Sequence, residues 1–84
     1  MAIRQVDSGT NPTRYEDDYK GSVIEISVGY DIQSDAFGFH VYVIKVNELG
    51  RRGERTKIGG MLTAGSVEEA QHRGLYIGRV VIDA

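Results

Sequence analysis

Ser66-Val67-Glu68-Glu69-Ala70-Gln71-His72-Arg73-Gly74-Leu75-Tyr76-Ile77-Gly78-Arg79-Val80-Val81-Ile82-Asp83 is the stretch that decides the fold. It opens with a hydroxyl followed three residues later by a glutamate. In that arrangement the Ser66 oxygen accepts from the Glu69 backbone N–H while the Glu69 carboxylate reaches back. Helical spacing then gathers Val67, Ala70, Gly74, Ile77, Gly78 and Val81 into one stripe, flanked by Leu75 and Ile82, with Glu68, Glu69, His72, Arg73 and Arg79 opposite. The stretch is a capped amphipathic helix with one dry face. Gly74 and Gly78 lie one turn apart inside that face, and each costs roughly 1 kcal/mol of helix propensity against alanine. Close approach of the helix backbone to a sheet is what offsets such a loss.

The sheet has to come from upstream. Ser22 to Ile32 alternates cleanly, with Ile24, Ile26, Val28, Tyr30 and Ile32 on one side and Glu25, Ser27, Gly29 and Asp31 on the other, which predicts a half-buried strand. Gln33-Ser34-Asp35-Ala36 supplies turn chemistry before a second strand, Phe37 to Val46, so the two are expected to pair as an antiparallel hairpin. Both sides of the second strand are apolar: Phe37, Phe39, Val41 and Val43 on one, His40, Tyr42, Ile44 and Val46 on the other. The phenylalanine side is assigned to the helix, to fill the space over its two glycines. Asn47 to Arg55 reads as a loop, and Thr56 to Thr63 as a third strand. Gly59-Gly60 interrupts that strand with a bulge that lets Ile58 and Leu62 share a side.

The expected fold is therefore α+β: a three-stranded antiparallel sheet with one C-terminal helix packed on the face of Ile24, Ile26, Val28, Phe39, Val41 and Val43. Residues 21–84 form the single β-β-β-α domain. Met1 to Lys20 carries the turn formers Asp7-Ser8-Gly9-Thr10-Asn11-Pro12 without sustained periodicity and reads as a flexible N-terminal lead, with Tyr19 as a candidate anchor. The tract Tyr15-Glu16-Asp17-Asp18-Tyr19 reads as solvated charge, since neighbouring carboxylates without calcium-loop spacing make no metal cage.

Composition excludes several function classes. The 84 residues carry a formal charge of −2, with 26% charged and 40% hydrophobic residues, an ordinary globular balance unlike that of a histone-like or disordered chain. There is no cysteine, hence no disulfide framework, thiol nucleophile or cysteine-ligated metal. No apolar run approaches membrane-spanning length and no hydrophobic signal core opens the chain, so a cytoplasmic location without membrane contact is the expectation. A domain this small has a marginal core, which favours association with itself or another protein.

The search for chemistry returns no catalytic residue. Gly59, Gly60 and Gly65 fit neither GxxxxGK[ST] nor GxGxxG, which argues against a nucleotide cofactor. His40 and His72 have no partner at metal-ligand or relay spacing. Glu68 and Glu69, adjacent on a helix, point about 100° apart and belong to the cap. Two surfaces remain. The row His40, Tyr42, Ile44 and Val46 is a candidate partner-binding patch, because one helix covers only one face of a sheet. The segment Arg51, Arg52, Arg55 and Lys57, diluted by Glu48 and Glu54, is a candidate nucleic-acid contact. The expected function is a small non-enzymatic binding module, most simply a homodimer through the open sheet face. The alternative is a weak nucleic-acid-binding domain using residues 51–57, its strand and helix order similar to the core of double-stranded RNA-binding folds.

Gly21-x-x-Ile24, then Phe37-x-x-His40-Val41-x-Val43, then Thr63-Ala64 through Glu68-Glu69-Ala70 to Gly74-Leu75-x-x-Gly78-Arg79-x-x-Ile82-Asp83, resembles a group of short uncharacterised proteobacterial proteins of β-β-β-α layout. That resemblance implies the fold and a small soluble protein, and no activity. Gly65-Ser66-Val67-Glu68-Glu69-Ala70 is similar to the segment that enters the helix of the HicB-type antitoxin partial domain, which implies an antitoxin-like role as a further expectation.

Overall fold

The computed structural model describes residues 3–6 and 12–84. Among these, five antiparallel strands precede one helix: β1 (Arg4–Gln5), β2 (Thr13–Tyr19), β3 (Ser22–Asp31), β4 (Ala36–Val46), β5 (Arg52–Ala64) and α1 (Val67–Asp83). The sheet order is β1-β2-β3-β4-β5, so each strand pairs with its neighbours in sequence. The class is α+β with one C-terminal helix, and the expectation of three strands is corrected to five.

The two additional strands lie in the segment that the sequence assigns to a flexible lead. β2 pairs along its whole length with β3, from Thr13 opposite Val28 to Tyr19 opposite Ser22, and β1 pairs outside it, Arg4 opposite Glu16. The expected division at residue 21 falls inside the connecting turn. Lys20 and Gly21 have φ of 47° and 75°, the two left-handed residues that a tight type I′ hairpin requires. The turn formers Asp7 to Asn11 lie outside the described residues. β5 also begins earlier than expected, at Arg52, because the loop closes over Asn47 to Arg51. There the Asn47 side chain accepts from the Leu49 and Arg51 N–H groups, both at 2.9 Å.

The helix stands where its cap signal puts it. Ser66 Oγ accepts from Glu69 N–H at 3.1 Å, and the Glu69 carboxylate accepts from Gly65 N–H at 3.3 Å, one residue short of the reciprocal bond expected at Ser66. The core is Ile24, Ile26, Val28, Phe39, Val41, Ala64 and Ala70, and Val43 is also buried, so the sheet face assigned to the helix is the one it covers. The close approach is real, but isoleucines rather than phenylalanines lie beneath the glycines. A Cβ on Gly74 would stand 2.8 Å from Ile26 Cγ1, and one on Gly78 2.6 Å from Ile24 Cγ2. At the other end of α1, Asp83 accepts from Tyr19 Oη at 2.8 Å and Lys20 Nζ at 2.7 Å, clasping the β2–β3 turn. Tyr19 is thus an anchor, as a strand residue. Both of its partners shift with the clasp: Asp83 is held below its ordinary value, first by the Lys20 bond and then by the Tyr19 bond, and Lys20 is raised by Asp83.

β5 breaks register twice against β4, between Phe39 and Val41 and between Ile44 and Val46. The first break contains Gly59 at φ 68° and brings Ile58 and Leu62 both against the core. Bulges and charges along an edge strand discourage pairing with another chain.

Candidate functional site: the open face of the sheet

Strand alternation sends Arg4, Arg14, Glu16, Asp18, Val23, Glu25, Ser27, His40, Tyr42, Ile44, Val46, Arg52, Arg55 and Lys57 to the face away from α1, as the cross-strand registers require. Glu16 and Glu25 are direct cross-strand neighbours there, and like charges so placed repel. Both are nonetheless buried, at 5% and 2% exposure. Arginines from three strands hold them. Arg52 forms a two-pronged pair with Glu16, both bonds 2.7 Å, reaching over β4 and β3 to β2. Arg4 bridges Glu16 at 3.5 Å and Asp18 at 3.0 Å. Arg55 Nε donates to Glu25 at 2.7 Å, and Arg14 lies 3.4 Å from the other oxygen of the same carboxylate.

The lattice has two consequences. The Arg52 bond draws Glu16 below its ordinary value of 4.5 against the opposing cost of burial, with Arg4 adding to the effect, and Glu16 in turn raises Arg52. The strands that Arg52 crosses contain Val23 and Ile44, which are 3% and 5% exposed although no helix among the described residues covers this side. Arginine stems laid along apolar side chains bury them while keeping the charged heads in water.

The candidate partner-binding row is therefore uneven. Ile44 is buried, while His40, Tyr42 and Val46 are half-buried. The Arg55 guanidinium carbon lies 3.8 Å from the centre of the Tyr42 ring, covering part of it. His40 lies 6.4 Å from Tyr42, and its buried Nδ1 has no hydrogen-bond partner among the described residues. Beside it, Gly29, Gly38, Ser27, Met61 and Thr63 shape a hollow of about 390 Å³.

The candidate nucleic-acid set divides as well. Arg51 closes the β4–β5 loop, whereas Arg52, Arg55 and Lys57 are strand residues. Arg52 is committed to Glu16 and Arg55 is bonded to Glu25 through Nε alone. Lys57, opposite Tyr42, has no ion pair among the described residues. Arg4, Arg14, Glu16 and Glu25 escape a reading by hydrophobic period. Their signal is the same-side repeat Arg14-x-Glu16-x-Asp18 next to the Lys20-Gly21 turn. Among the described residues no group of three His, Asp or Glu side chains could hold a metal ion, and no helix is long and apolar enough to cross a membrane.

No protein-family model matches the chain, and neither known proteins nor solved structures give a match. The two resemblances stand on their quoted residues alone.

Proposed function

We propose that this chain is a small non-enzymatic binding module of the cytoplasm that acts through the open face of its sheet on a partner carrying negative charge. The observation that carries the reading is the layering of charge on that face. Glu16 and Glu25 lie at the bottom, nearly out of solvent, and the four arginines that neutralise them lie above, their side chains 44–50% exposed. Asp18, beside Arg4 at the β1 end, is an exposed acid on this face; toward β5 a partner meets the guanidinium groups of Arg52 and Arg55 above the buried carboxylates, although the chain's formal charge is −2. Elsewhere Lys20, Arg73 and Arg79 pair with Asp83, Glu69 and Asp17 on the helix side. Such one-sided charge steers association.

A second copy of the chain is no longer the simplest occupant, because Val23 and Ile44 are already buried within the chain. A nucleic-acid strand fits the charge. Its contacts reduce to Arg51, Lys57 and the outer edge of Arg55, so the slope of log affinity against log salt is about −2 to −3. The test is a titration with single-stranded DNA, duplex RNA and polyglutamate at low and moderate salt. Salt-sensitive binding of at least one polyanion is expected, weakened by Arg51→Glu/Lys57→Glu and unchanged by Lys45→Glu on the other face. Absence of binding at low salt, or equal loss in the Lys45 variant, contradicts the reading; binding of polyglutamate alone makes the partner an acidic protein.

A further inference from the structure

Resting on that reading of the face, we infer that Arg55, Lys57 and Tyr42 form an anchor for one phosphate group of the ligand. Arg55 uses only Nε on Glu25, and among the described residues no carboxylate bonds its two terminal nitrogens. The guanidinium is stacked 3.8 Å from the centre of the Tyr42 ring, a contact that fixes its plane before any ligand arrives. Lys57 is the direct cross-strand partner of Tyr42. It lies two residues from Arg55 on the same side of β5, which puts the two roots about 7 Å apart. Like charges at that spacing repel, and among the described residues the carboxylate bonded to Arg55 is Glu25, which also lies against Arg14. Arg55 and Lys57 thus outnumber the one carboxylate bonded to them among the described residues. A fork of two N–H donors, with an ammonium-bearing side chain rooted two residues along the same side of the strand and an excess of positive charge, matches a tetrahedral oxyanion of charge near −2 better than a carboxylate.

The anchor differs from the rest of the lattice in this respect. Arg52 has both terminal nitrogens on Glu16, so it serves the fold, whereas Arg55 is held by Glu25 through Nε and by the Tyr42 ring, with no carboxylate among the described residues on its terminal nitrogens. A free phosphate ion and the phosphate of a nucleotide present the same chemistry, and the test separates them.

The full chain, labelled with nitrogen-15, is titrated with inorganic phosphate, with a nucleoside 5′-monophosphate and with acetate, following the Arg55 Nε–H and the Tyr42 and Lys57 amides. Both phosphate ligands are expected to shift these signals together and to saturation, and acetate to act far more weakly. Tighter binding of the nucleotide identifies it as the source; equal binding identifies the phosphate group alone. Lys57→Gln, which touches no carboxylate in the lattice, weakens binding about tenfold, and so does Arg55→Lys, which keeps the charge and loses the fork. Acetate binding as tightly as phosphate, or an unchanged affinity in Lys57→Gln, overturns the anchor. Polyanion binding that persists without any localised phosphate shift also overturns the anchor while sparing the wider reading of the face. Localised phosphate binding without polyanion binding has the opposite effect.

Discussion

The two faces of this sheet are buried by opposite means. Under α1, Ile24 and Ile26 meet helix glycines and the dry contact is fixed by shape. On the open side the same two central strands carry Val23, Glu25 and Ile44, all at most 5% exposed, beneath arginines that lie half in water. Alternation along one strand thus supplies an apolar core on one side and a charge lattice on the other. The lesson concerns what a solvent-facing sheet needs. A second layer of secondary structure is dispensable where long cationic side chains can cross the strands and find carboxylates beneath them.

That contrast makes the two sides fail differently. The largest effect belongs to the packed side. Gly78→Leu forces side-chain atoms into space held by Ile24 and is expected to cost about 3 kcal/mol, with Gly74→Leu over Ile26 close behind, measured by denaturant unfolding. An unchanged unfolding midpoint in either would remove the close-approach argument. Next comes the open side. Arg52→Gln leaves the buried Glu16 carboxylate with only the longer Arg4 contact among the described residues and costs about 1–2 kcal/mol, less than a fully buried pair because Arg52 is half exposed. Its effect should shrink in high salt, where that of Gly78→Leu should not. Smaller again is Ser66→Ala, which removes the acceptor for the Glu69 N–H and costs about 1 kcal/mol without salt dependence.

The packed side was legible in the sequence because apolar period and capping chemistry act locally. Ser66 and Glu69 announce α1, and Ile24, Ile26 and Val28 announce the face it covers. β2 was not legible for a physical reason. Its open-face residues are Arg14, Glu16 and Asp18, and Glu16 is buried by an arginine 36 residues away, a contact no local period records. Asp17 on the other side is also buried, with Arg79 of α1 3.7 Å away, so both sides of the strand read as solvent. The start of β5 was hidden in the same way: Gly53 lies at a register break, and Arg52 and Arg55 look like loop charges until Glu16 and Glu25 are in place. The row on β4 was legible as a row, but Ile44 within it is buried, opposite an Arg55 that the sequence assigns to a different surface.

The open face depends on Glu16 being buried and charged at once, and the titration of that carboxylate tests this most directly. Arg52 and Arg4 hold the carboxylate below its ordinary value of 4.5, so Glu16 contributes stability that is fully present above that pH and is lost as pH falls through the lowered value. In Glu16→Gln this part of the acid dependence should vanish. Carbon-detected NMR of the Glu16 side-chain carboxyl in the folded chain is predicted to give a midpoint below 4.5, moving upward in Arg52→Gln. A midpoint at or above 4.5 in the unaltered chain would mean that burial outweighs the arginines, and would contradict a charge lattice as the cover of the open face.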